Sequence, residues 1–155
     1  MEELTVEEII KYAVRIERES FGFYRKASKF LGGSEVGLLT DELAQEEVDH
    51  MNQLKGLLDE ERISVEDLNE TIDIDTSMFT RIISTPEIPP LATPLDILHI
   101  ALRREKDTLS NYEMLLTLTA FNEDIIATLV KLKQMEEVHV RRISERIEKM
   151  KSGSI

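Results

Sequence analysis

Two Glu-x-x-His pairs, Glu47–His50 and Glu136–His139, are the residues of this chain best suited to chemistry, and Glu17 and Glu105 join them. Each of the four glutamates interrupts an apolar stripe of helical spacing. The stripes read Ile9, Ala13, Glu17, Ser20, Tyr24, Ala27, then Leu39, Leu43, Glu47, His50, Leu54, Leu57. The other two read Leu98, Leu102, Glu105, Leu109, Tyr112, Leu116 and Ile125, Leu129, Leu132, Glu136, His139, Ile143. Steps of three and four residues keep each set on one side of its helix, so every helix turns one glutamate towards the core. A buried carboxylate without a partner is very costly, and four together also repel one another. Two divalent cations solve both problems, because four carboxylates and two neutral imidazoles then sum to zero charge. Oxygen and imidazole donors without thiolate favour iron or manganese over structural zinc.

The chain also repeats this chemistry. Glu17 and Glu105 are 88 residues apart, as are Tyr24 and Tyr112, while Glu47 to Glu136 and His50 to His139 are each 89. Two matching half-bundles around a pseudo-two-fold axis, with metals between them, follow from that spacing. A lone Glu-x-x-His would mean little, since 22 of the 155 residues are Glu and helices carry such pairs as surface ion pairs. Two pairs with two matched stripe glutamates are far more specific. Glu19, Glu46 and Glu137 serve as controls: they lie off the stripes, on faces with Arg15, Lys26, Gln53 and Lys133, and are expected to be solvated. His99 lies about 120° round the helix from Glu105 and reads as a histidine near a helix start, paired with Asp96. Tyr24 and Tyr112 fit equally well as hydrogen-bond donors to ligand carboxylates and as plain core aromatics.

Four long helices must position these groups. Thr5 with Glu8 forms a capping box for a helix over about 5–29, and Gly32-Gly33-Ser34 ends it before a second over 34–58. Thr93-Pro94 with Asp96 opens a third over 93–119, and the fourth runs over 122–151. All four prolines fall between residues 86 and 94, three of them at the end of a long crossover over 59–92 that is expected to hold short helices after Ser64 and near Asp75. The expected fold is all-α: an antiparallel four-helix bundle with its long crossover between helices 2 and 3, forming one domain over 1–155. The formal charge of −12 disfavours nucleic acid and anionic membrane as partners. The absence of Cys excludes disulfides, thiolate chemistry and Cys-held iron–sulfur centres. With no apolar run of membrane length and no signal-like N-terminus, a cytoplasmic protein is expected.

At Glu17 with Tyr24, Glu47-Val48-Asp49-His50, Glu105 with Tyr112, and Glu136-Glu137-Val138-His139, the sequence resembles the rubrerythrin branch of the ferritin-like diiron-carboxylate superfamily. The resemblance covers the four helices. It implies that Glu47 and Glu136 bridge or flank two metals, that Glu17 and Glu105 are terminal ligands, and that His50 and His139 give one nitrogen to each. Two departures stand out. Thr108 occupies the position of the family's extra Glu, and the Cys-rich rubredoxin-like domain is absent. The resemblance therefore implies a redox protein that reduces peroxide or dioxygen with electrons from a separate donor, rubredoxin-like or another reductase. Iron handling, as a ferroxidase or small-scale store, is the competing reading; a purely structural metal site is a third. Related proteins suggest a homodimer, and the long crossover would permit helix pairs to be exchanged.

Overall fold

The computed structural model describes residues 2–59, 71–74, 88–118 and 123–153. Four helices dominate them: α1 (Val6–Leu31), α2 (Glu35–Asp59), α3 (Pro94–Leu118) and α4 (Glu123–Lys151). Their ends lie within two residues of the expected ones, and the caps show why. The Thr5 hydroxyl accepts from the Glu8 amide while the Glu8 carboxylate accepts from the Thr5 amide, a complete capping box. Thr93 and Asp96 make the same reciprocal pair at the start of α3. Gly32 ends α1 at φ 61°, a left-handed backbone that favours glycine. Gly37 then lets the α1–α2 turn close, because a Cβ there would stand 2.2 Å from the Gly32 carbonyl oxygen.

One feature was not expected. Residues Glu2–Thr5 (β1) pair antiparallel with Thr71–Ile74 (β2), Glu2 opposite Ile74 and Thr5 opposite Thr71. This tie anchors the start of α1 to the crossover and leaves the helical class unchanged. The short helices expected after Ser64 and near Asp75 lie outside the described residues.

The core divides into two apolar clusters. One gathers the N-terminal half of α1 (Val6, Ile9, Ala13), the end of α2 (Leu54, Leu57), the end of α3 (Tyr112, Leu115) and the start of α4 (Ile125, Leu129). The other gathers the C-terminal half of α1 (Phe23, Ala27), the start of α2 (Leu43, Ala44), the start of α3 (Ile97, Leu98) and the end of α4 (Ile143, Ile147). Hence α2 and α3 run the same way, and the chain between them must return the full length of the bundle. Three stripes are close to those expected, with only Leu39 less than fully buried. On α3 the register is one residue off: Leu102, Leu109 and Leu116 are only half-buried, whereas Ala101, Thr108 and Leu115 face inward with Leu98, Glu105 and Tyr112. The larger leucines flank the seam, and the smaller Ala101 and Thr108 fill it.

Candidate metal centre

Between the two apolar clusters lies one polar layer. Glu17, Glu47, His50, Glu136 and His139 are each 0% exposed and Glu105 is 2%. All six sequence-predicted residues therefore converge. Each helix supplies its share because a single turn of its inward stripe is acidic, and the neighbouring turns are apolar.

Among the described residues the ligand atoms fall into two overlapping four-residue clusters, Glu17, Glu47, His50 and Glu136 on one side and Glu47, Glu105, Glu136 and His139 on the other, and a third group, Glu47 with both histidines, links them. Within each, the donor atoms lie within 4.8 Å of one another, the spacing that one ion could satisfy. Both histidines turn Nδ1 into the layer. His50 Nδ1 stands 3.3 Å from Glu17, 3.5 Å from Glu47 and 2.9 Å from Glu136, the last out of line for a hydrogen bond. His139 Nδ1 stands 3.3 Å from Glu47, 3.4 Å from Glu105 and 3.3 Å from Glu136. The two rings stack with centroids 5.5 Å apart.

Tyr24 and Tyr112 sit behind the glutamates and cross between halves. The Tyr24 hydroxyl on α1 donates to Oε1 of Glu105 on α3, and the Tyr112 hydroxyl on α3 donates to Oε1 of Glu17 on α1. Burial and the adjacent carboxylates push both phenols well above their usual range, so both stay protonated and act as donors. Of the two readings open in the sequence, hydrogen bonding to the site carboxylates is the one observed.

The electrostatics are those of a crowded acid site. Burial, and then repulsion from Glu136 and Glu17, raises the Glu47 carboxyl well above its usual range; burial, with Glu105 and Glu17, does the same to Glu136. Burial also opposes ionisation of Glu17 and Glu105, but contacts with neighbouring carboxyls, histidines and tyrosines outweigh it. Glu17 is lowered, and Glu105 falls to about 2. Burial works against charge on the histidines too, yet the carboxylates lift His50 to about 10 and His139 to about 12. Without metal, protons supply the missing positive charge. The donor set still has room for cations. Both oxygens of Glu47, both of Glu136 and Oε2 of Glu105 have no hydrogen-bond partner among the described residues.

Glu46 corrects the sequence reading. Expected to be solvated, it is only half-exposed, with Oε1 3.5 Å from Nε2 of His139 and Oε2 held by Arg142 Nη1 at 2.7 Å. Contact with His139, opposed by burial and helped by Arg142, holds its carboxyl at about 2. Its position, about 100° round α2 from Glu47, still reaches across to α4, which a single-helix stripe does not reveal. The usable signal was Arg142, one turn beyond His139 on α4. Glu19 is also partly buried, while Glu137 is exposed as expected. His99 is exposed, and its charge adds to the Thr93 hydrogen bonds that lower Asp96. Arg104, unremarked in the sequence, is 8% exposed, lies 5.2 Å over the Phe23 ring and reaches the Ser20 hydroxyl at 3.5 Å.

The family model for rubrerythrin matches residues 8–147, almost the whole bundle. The chain belongs to the rubrerythrin family. A crystal structure from Thermotoga maritima, described as a candidate ferritin-like diiron-carboxylate protein, is 25% identical and aligns with a TM-score of 0.74 over 97% of this chain and 99% of that one. No curated protein matches at a significant level. Membership of this family and the Glu/His clusters agree on a ferritin-like bundle for binding iron, with redox chemistry or iron handling as its business. Among the described residues, no helix is long and apolar enough to cross a membrane.

Proposed function

We propose that Glu17, Glu47, His50, Glu105, Glu136 and His139 hold two iron ions, and that the protein uses them to reduce hydrogen peroxide or dioxygen with electrons from an external donor. The observation that carries this reading is that two buried clusters share Glu47 and Glu136. A shared pair of carboxylates would suit two cations held near one another. Two adjacent ferrous ions would supply two electrons to one O–O bond. Manganese would suit the same donors.

The chain's own groups divide the work. Among the described residues none of the four oxygens of Glu47 and Glu136 has a hydrogen-bond partner, so these two carboxylates would be the ones shared between the ions. Glu17 and Glu105 each have Oε1 engaged by a tyrosine; Oε2 of Glu17 meets His50 Nδ1 at 3.3 Å, Oε2 of Glu105 has no hydrogen-bond partner among the described residues, and these two oxygens would serve for terminal binding. Tyr24 and Tyr112 thereby fix the carboxylate planes, and their protonated hydroxyls favour the ionised carboxylates that a cation needs. The apolar clusters above and below the layer keep bulk water from the reacting atoms. Thr108 is buried where the family's extra Glu would stand, and its neutral hydroxyl gives no additional anionic ligand. Ligand rearrangement between oxidation states should be smaller, and peroxide reduction slower, than in a full rubrerythrin. These 155 residues hold no Cys to carry a rubredoxin-type centre, and we place the electron donor in a rubredoxin-like or other reductase. We further place the working unit as a homodimer, with the crossover permitting exchange of helix pairs.

The test is metal analysis of iron-loaded protein, then stopped-flow oxidation by each oxidant, then turnover with and without rubredoxin and its reductase. Two irons per chain, rapid oxidation and donor-dependent turnover are expected. Failure of both oxidants to react would overturn the redox reading, and growth of a mineral core would favour iron storage instead.

A further inference from the structure

The centre is two-fold in its ligands but not in what stands behind its imidazoles. His139 turns Nε2 outward to Glu46, 3.5 Å away. Arg142 fastens that carboxylate at 2.7 Å and holds Glu42 with its other nitrogen at 2.6 Å. His50 also turns Nε2 away from the cluster; neither outer nitrogen makes a hydrogen bond among the described residues, but only that of His139 has a carboxylate within ion-pair distance. The 89-residue repeat shows where the difference arises. The counterpart of Glu46 is Met135, and the counterpart of Arg142 is Gln53. A thioether accepts weakly and cannot stand in for a carboxylate.

A carboxylate facing the outer nitrogen of an imidazole keeps the proton there. That leaves the inner nitrogen with its lone pair aimed at the cation, and it raises the basicity of the ring. His139 has this support and His50 lacks it. We infer that the two metal positions are unequal: the one built on Glu47, Glu105, Glu136 and His139 binds first and more tightly, because Glu46, anchored by Arg142, positions His139. The inference rests on the proposed ligand role of the six residues. Glu46 itself lies outside both ligand clusters, so it is a positioning residue.

The experiment is anaerobic titration of metal-free protein with Co(II), followed by calorimetry and visible absorbance. Wild type should bind in two resolved steps. Glu46→Gln should weaken the tighter step by about 10–100-fold and leave the weaker step unchanged. Arg142→Gln, which removes only the anchor, should weaken the same step by less. Met135→Glu with Gln53→Arg, which copies the support behind His50, should bring the two steps together. Two equal sites in the wild type would overturn the inference. So would a Glu46→Gln protein that loses affinity at both sites alike or at neither. Absence of any Co(II) binding by the folded protein would instead remove the ligand role on which the inference stands.

Discussion

The hydroxyls of Tyr24 and Tyr112 are the smallest features that the centre depends on. Each tyrosine is only 1% exposed, and each donates to a carboxylate of the opposite half. Removing such a donor leaves a buried acceptor unsatisfied, and donors to charged groups are worth more than neutral ones. Tyr24→Phe and Tyr112→Phe should each destabilise the metal-free protein by about 1–3 kcal/mol in urea melts, since the ring packing is retained. The two costs should also be similar, because each hydroxyl donates to Oε1 of the opposite half's matching glutamate. A loss confined to one of the two would contradict that symmetry. At this scale the sequence was legible wherever a polar residue broke an apolar stripe, and all six centre residues were found that way. Glu46 and Arg104 broke no stripe. Their partners lie on other helices, and periodicity within one helix carries no information about which neighbour a flanking side chain will meet.

At the scale of the elements, the α1–α2 turn is the tightest joint. Gly37→Ala would push a methyl group into the Gly32 carbonyl, and neither is a flexible side-chain end. It should cost about 1–3 kcal/mol, typical of forced overpacking. Gly22, in the middle of α1, has nothing within 4 Å of where a Cβ would stand. Gly22→Ala should therefore stabilise by roughly 0.5–1 kcal/mol through helix propensity alone. Thermal melts that rank the two variants in the other order would defeat this account of the turn. Helix ends were readable because caps are local: Thr5 with Glu8 and Thr93 with Asp96 declare themselves within four residues. The β1–β2 ladder was not, because it joins residues about 70 apart in sequence whose pairing depends on how the crossover returns. The α3 register slipped for a related reason. Ala101 and Leu102, or Thr108 and Leu109, are adjacent, and only packing decides which one faces inward.

For the whole molecule, the polar layer makes stability conditional on what neutralises it. Glu47 and Glu136 are raised in the folded metal-free protein, so their contribution is fully present below the usual carboxylate value and is lost as pH rises through the raised one. His50 at about 10 and His139 at about 12 act in the same direction, losing their contribution as pH climbs from 6.5 through those values. Glu105, at about 2, acts oppositely and loses its contribution as pH falls from 4.5 through 2. The metal-free protein should therefore be most stable in mild acid, just above 4.5, and weaken steadily towards alkaline pH. Bound cations do the reverse, since acid protonates their ligands. Chelation should lower Tm by roughly 10 °C or more at pH 7, with a larger gap at pH 8 than at pH 5. An unchanged Tm at pH 7, or a gap that widens in acid, would refute this.

The crossed tyrosines have a consequence for descent. Neither hairpin completes its own carboxylate: α1 lends Tyr24 to Glu105, and α3 lends Tyr112 to Glu17. A half-length ancestor carrying one Glu, one Glu-x-x-His and one Tyr would already have held the entire set of groups, provided that it met a second copy of itself. Duplication and fusion would then have made the encounter permanent. A linker between the halves is what such a fusion would need, and Met135, the counterpart of Glu46 in the 89-residue repeat, is one position at which the two halves differ.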